Sequence, residues 1–127
     1  MGTDAQIIGL DGCAVRTVDP DRVVAAQARL VSQPEAGRLT ELFRLLGDPT
    51  RVRMLFALVE AGELCVCDLA AVVGATETSV SHALRLLRTA GIVRSRRSGR
   101  MVFYTLDDAH VRLLLDVSRE HLRHDGP

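Results

Sequence analysis

Residues 66–90 read VCDLAAVVGATETSVSHALRLLRTA, and this stretch decides the fold. Its first part, residues 66–73, has the length and apolar content of a short helix closed by Gly74. Gly74-Ala75-Thr76 is turn chemistry. A longer helix is then predicted over 77–90, because Val80, Leu84 and Leu87 recur at helical spacing and Gly91 follows. Short helix, tight glycine-containing turn and longer helix together outline a helix-turn-helix. On the second helix the outward positions are Thr78, Ser79, Ser81, His82 and Arg85, with Arg88 one turn on. Short hydroxyls reach phosphates or base edges, and arginine reads guanine through two hydrogen bonds. His82 fits a base contact or an ordinary surface histidine equally well.

Downstream, residues 92–106 read as a β-hairpin turning at Ser98-Gly99. From Ser79 to Leu106 the chain carries Arg85, Arg88, Arg94, Arg96, Arg97 and Arg100 and no Asp or Glu. The whole chain has zero formal net charge, so this is local segregation rather than a basic composition. A helix in the major groove with Arg97 and Arg100 on a hairpin tip would meet two parts of a duplex. The bland alternative is a set of solvated charges, and the helix-turn-helix setting weighs against it.

Upstream, residues 1–20 look irregular and are read as a flexible arm. Helices are predicted over 21–32, over 35–46 after a break at Gln33-Pro34, and from Asp48-Pro49 to Ala61-Gly62, with Val52, Leu55, Phe56 and Val59 as the core face of the last. A final helix is predicted over about 108–124, entered through Asp107-Asp108. With 127 residues, 47% of them hydrophobic and few aromatic, the chain suits one mainly α domain over 21–124. No signal peptide or membrane-length apolar run is visible. Three cysteines, two of them one residue apart, argue against a secreted disulfide framework and for reduced thiols in the cytoplasm.

Two residue sets suit metal ions. Asp108, His110, His121 and His124 form D-x-H-x₁₀-H-x-x-H and hold three of the four histidines. On a helix the three imidazoles fall within about 60° of one another, yet His110 and His121 lie roughly 16 Å apart along the axis. Zinc–nitrogen bonds are only about 2 Å long, so one helix cannot close the site. An antiparallel second copy can, with two equal sites about a two-fold axis. Asp108 joins the set only at the helix start, as a cap. The pattern therefore predicts a metal site and a homodimer together. The other set is Cys65 and Cys67. Residues two apart are about 200° apart on a helix, so these thiols converge only at a helix entrance with non-helical backbone, a place expected to lower a thiol pKa. Cys13 in the arm is a third thiolate for a soft ion. Buried structural cysteines are the plain alternative.

Together these parts resemble the ArsR/SmtB family of bacterial winged-helix metal-sensing repressors. The resemblance rests on Leu46-Gly47-Asp48-Pro49-Thr50-Arg51, the segment from Glu63 through Cys65 and Cys67 to Leu69, the segment from Ser79 to Arg88, Gly99-Arg100 with Tyr104, and the closing Asp108-x-His110 and His121-x-x-His124. It implies a dimer built on the first and last helices, and operator DNA held until metal binds. It implies a zinc-type site at Asp108, His110, His121 and His124, and a thiolate site at Cys65 and Cys67. Cadmium and lead sensors of the family complete the latter with N-terminal cysteines. Here the arm offers only Cys13 where that type carries two thiols, which points to three sulfurs completed by an oxygen of Asp11 or Asp68.

The sequence thus predicts a homodimeric winged helix-turn-helix with a two-stranded wing, bound to double-stranded operator DNA through Thr78, Ser79, Ser81, His82, Arg85, Arg88, Arg97 and Arg100. Zn(II), Cd(II) or Pb(II) is the expected inducer, and neither an enzymatic activity nor a membrane partner is expected. The alternatives are an arsenic(III)- or thiol-redox-responsive repressor using Cys65 and Cys67, and a metal-buffering protein without DNA regulation.

Overall fold

A computed structural model describes residues 6–8 and 14–125, with side chains from Arg16 to His124. The chain divides into two units, residues 1–38 and 39–127.

In the first unit, β1 (Gln6–Ile8) pairs antiparallel with β2 (Ala14–Arg16), with Ile7 opposite Val15. The expected irregular arm thus contains a short hairpin. Helix α1 (Pro20–Arg29) starts at Asp19, whose side chain accepts from the Arg22 amide. It ends three residues before the expected Ser32, because Leu30 is extended. Helix α2 (Gln33–Leu46), whose residues from Leu39 on belong to the second unit, begins before its proline rather than after it. Ser32 accepts from the Glu35 amide, and Pro34 sits in the first turn, where no intrahelical N–H is required.

The second unit holds the core. Helix α3 (Pro49–Ala61) is capped by Asp48 Oδ2, 3.0 Å from the Arg51 amide, and stopped by Gly62 at φ 81°. Its buried face is Met54, Leu55, Ala57 and Leu58, turned from the expected one. Val52, Phe56 and Val59 stay half-buried, and Val52 and Phe56 line a groove beside the last helix. Strand β3 (Leu64–Cys65) leads directly into α4 (Val66–Val73). Gly74 closes α4 in the left-handed region, a conformation that costs other residues a steric penalty. Helix α5 (Glu77–Thr89) starts at Thr76, whose hydroxyl accepts from the Ser79 amide, and buries Val80, Ala83, Leu84 and Leu87.

Strands β4 (Val93–Ser98) and β5 (Met101–Leu106) form the hairpin, with Ser98 opposite Met101 and Gly99-Arg100 as its loop. The wing is not the two-stranded element expected. Strand β3 pairs antiparallel with β5, giving a three-stranded sheet in the order β3-β5-β4. Helix α6 (Ala109–Asp125) follows, entered through Asp108, whose carbonyl accepts from Val111 and Arg112. Met54, Leu55, Leu58, Leu69, Val80, Leu84, Leu87, Ile92 and Val93 are fully buried and join α3, α4, α5 and the sheet. From α6, Leu115 is buried in this core and Val111 packs against it. No helix among the described residues is long and apolar enough to cross a membrane.

Candidate nucleic-acid interface and metal centres

The buried stripe of α5 leaves Thr78, Ser79, Ser81, His82, Arg85 and Arg88 exposed on one helix. The six arginines of this region then separate into two kinds. Arg94 lies 3.7 Å from Asp107. Arg96 makes a two-pronged pair with Glu63, at 2.7 and 2.6 Å, and its guanidinium stands 4.9 Å over the Phe103 ring. Each partner's pKa shows the pairing: the Arg96 hydrogen bond lowers that of Glu63, and the Glu63 hydrogen bond raises that of Arg96. Arg85, Arg88, Arg97 and Arg100 have no carboxylate partner among the described residues, and all four are exposed. Charges left unpaired in this way remain available to phosphate. Glu63 lies 33 residues before Arg96, a separation at which no local sequence pattern reveals a pair.

The thiols converge for the reason the sequence suggested. Cys65 is the N-cap of α4, with extended backbone at φ −80° and ψ 170°. The two Sγ atoms are 3.4 Å apart, and each lies within 4.8 Å of an Asp68 carboxylate oxygen. Two thiolates on a tetrahedral ion at about 2.3 Å each stand about 3.8 Å apart, so the pair fits a soft cation with little movement. Cys65 is buried and Cys67 exposed. The expected lowering of thiol pKa does not hold at Cys67. Its pKa is raised, first by the hydrogen bond with Cys65, then by that group's charge, by desolvation and by Asp68 and Glu77. Packing two anions and a carboxylate together outweighs the helix dipole until a cation arrives. Cys13 and Asp11 lie outside the described residues.

At the start of α6, Asp108 Oδ1 accepts from the His110 amide at 2.7 Å and lies 2.8 Å from His110 Nδ1. Both contacts lower the Asp108 pKa. This is the capping position the carboxylate needed. His121 and His124 occupy the far end of the same helix. Among the described residues, no third ligand joins Asp108 and His110 within the chain. The helix itself carries exposed Leu113, Leu114, Val117 and Leu122.

Residues 48–95 match the family model described as bacterial regulatory protein, arsR family. A cadmium resistance transcriptional regulatory protein CadC homolog from Staphylococcus aureus is 38% identical over 113 residues, 89% of this chain and 93% of that protein. The chain belongs to the ArsR/SmtB family. A transcriptional repressor SmtB homolog from Synechocystis is 41% identical over 111 residues, covering 87% and 83%. Among solved structures, the AntR antimony-specific transcriptional repressor superposes with a TM-score of 0.70 at 34% identity, over 86% of this chain and 96% of that one. As an ArsR/SmtB member the chain is a DNA-binding transcriptional repressor and not an enzyme. The names of these relatives span cadmium and antimony, so family membership leaves the inducing ion open.

Proposed function

We propose that this ArsR/SmtB repressor binds operator DNA as a homodimer and releases it when Zn(II), Cd(II) or Pb(II) binds. The observation that supports the reading is the pairing of Cys65 with Phe103, which joins one thiol of the pair to the same sheet as the wing while Cys67 stands on α4. Thr78, Ser79, Ser81, His82 and Arg85 would enter the major groove, and Arg88, Arg97 and Arg100 would meet the backbone.

Cys65, Cys67 and Asp68 would hold a soft ion, with Cys13 as a further thiol. Asp108 and His110 of one protomer would meet His121 and His124 of a second, which accounts for a ligand set split between the ends of one helix. The apolar side of α6 supports the same assembly. With Phe43, Phe56 and Leu46 it borders a groove of about 540 Å³.

A bound divalent ion supplies a positive charge that favours thiolate over thiol and neutral over protonated imidazole. The chain converts that into release because Cys65 adjoins both α4 and β5. A shift of α4 or β5 at this junction alters how α5 and the wing are presented together. By linkage, a coupling near 3 kcal/mol lowers operator affinity roughly a hundredfold.

The test is a titration of Zn(II), Cd(II) and Pb(II) against the protein bound to a fluorescent duplex from the DNA upstream of its own coding sequence. Release is expected for the parent and loss of Cd(II)- and Pb(II)-driven release for Cys67→Ser. A complex indifferent to all three ions would refute metal control. A second reading, release by arsenic(III) or by thiol oxidation, is favoured by the 3.4 Å approach of the thiols within one chain. It requires release that survives replacement of both His121 and His124 and is driven by arsenite or peroxide rather than by the divalent ions.

A further inference from the structure

Between α5 and the sheet lies a cleft of about 440 Å³, lined by Ser81, Leu84, Arg85, Arg88, Thr89 and Tyr104. We propose that this cleft seats one phosphodiester of the DNA backbone, with the Tyr104 hydroxyl and the Arg88 guanidinium as donors. The proposal rests on the DNA-binding reading and adds to it a residue of the sheet and a defined ligand group.

The first ground is the chemistry of the walls. Ser81, Arg85, Arg88 and Tyr104 are hydrogen-bond donors, and no carboxylate lines the cleft. Thr89 contributes only wall, because its hydroxyl donates to the Arg85 carbonyl at 2.9 Å. The second ground is what these donors lack. Arg51 and Arg53 donate to the carbonyls of Leu45 and Val73, and Arg94 and Arg96 face Asp107 and Glu63. Arg85 and Arg88 have no such partner among the described residues, and nothing there hydrogen-bonds the hydroxyl of half-buried Tyr104. A half-buried phenol ordinarily finds a partner for its polar end.

The third ground is the shape of the duplex. A helix in the major groove and a hairpin tip beside the neighbouring minor groove lie on either side of one sugar-phosphate ridge. That ridge has to pass between α5 and the wing, where the cleft opens. Tyr104 is held there by β5, paired with Ser95 on one side and Leu64 on the other, so its ring position is set by the sheet and not by a mobile tip.

Tyr104→Phe removes only the hydroxyl, and circular dichroism checks that the fold is kept. With metal-free full-length protein and the upstream duplex, about tenfold weaker binding is expected, the effect of one charge-assisted hydrogen bond. Arg88→Gln should lower the slope of log affinity against log salt by about one. Neutral methylphosphonates stepped along each strand should reveal one position per half-site where the parent weakens and Tyr104→Phe weakens no further. Equal affinity of parent and Tyr104→Phe, or full additivity at every step, would overturn the cleft assignment and leave the DNA-binding reading standing. A parent that binds no duplex removes that reading and this one with it. Inorganic phosphate titrated into DNA-free protein distinguishes the two sources of such an anion. Binding no tighter than millimolar is expected. Submillimolar binding that Tyr104→Phe abolishes would make the cleft a site for free phosphate instead.

Discussion

Cys67 shows how neighbouring charges set the terms for ligation. Its thiol is pushed up by the hydrogen bond and charge of Cys65 and by Asp68 and Glu77, so it is protonated at neutral pH. An ion must displace that proton, and each displaced proton makes apparent affinity rise about tenfold per pH unit. Cd(II) affinity at this pair is therefore expected to climb steadily from pH 6 to pH 9, measured by chelator competition, and Cys67→Ser should flatten the climb. An equally steep profile in the variant would place the titrating ligand elsewhere. Asp108 behaves oppositely. Its lowered pKa keeps the carboxylate charged well into acid, so its cap stabilises α6 above the ordinary carboxylate range and is lost as pH falls through the lowered value. Loss of metal binding at mildly acidic pH is therefore not expected to arise from Asp108. Both residues were legible from spacing as candidate ligands. The direction of the Cys67 shift was not, because it depends on a 3.4 Å approach.

At the scale of the element, α5 separates stability from recognition. Leu84 is buried and Ser81 exposed on the same helix. Leu84→Ala should cost about 3 kcal/mol in chemical denaturation, through lost burial and the cavity left behind. Ser81→Ala should leave the denaturation midpoint near the parent and weaken duplex binding. Asp48→Ala should cost about 1 kcal/mol by removing the α3 cap that Arg51 donates to. The cap at Asp48, the stop at Gly74 and the stripe of α5 were all readable, since each depends on a few adjacent residues. The start of α2 was misplaced, because Pro34 reads equally as a breaker or as a first-turn residue. The buried face of α3 was misplaced because Val52 and Phe56 line the α6 groove, which leaves Phe56 only partly buried against the core.

For the whole molecule, α6 is the element that one chain leaves incomplete. Val117 is 58% exposed, and Leu122, 69% exposed, lines a groove bordered by Phe43 and Phe56. Val117→Arg should shift the protein to the mass of a single chain in sedimentation, since a charge on the proposed dimer seam is costly to desolvate. On the proposed split arrangement, zinc-type binding through Asp108, His110, His121 and His124 should then fail, because the halves of the set would come from two chains. Cd(II) binding through Cys65 and Cys67 should persist, because those thiols meet within one. A variant that stays dimeric, or a monomer that keeps the histidine site, would contradict the split arrangement.

The sequence by itself determined the helix-turn-helix, the hairpin, the exposed face of α5 and both candidate ligand sets. All of these follow from local periodicity, capping and spacing. Tertiary structure decided which arginines lack a carboxylate, because Glu63 pairs with Arg96 across a separation no local pattern spans and Asp107 faces Arg94 only once the hairpin register is set. It also decided that the wing has a third strand. Pairing of Leu64 and Cys65 with Tyr104 and Phe103 is a contact between segments nearly forty residues apart, and a two-residue strand carries too little pattern to announce itself.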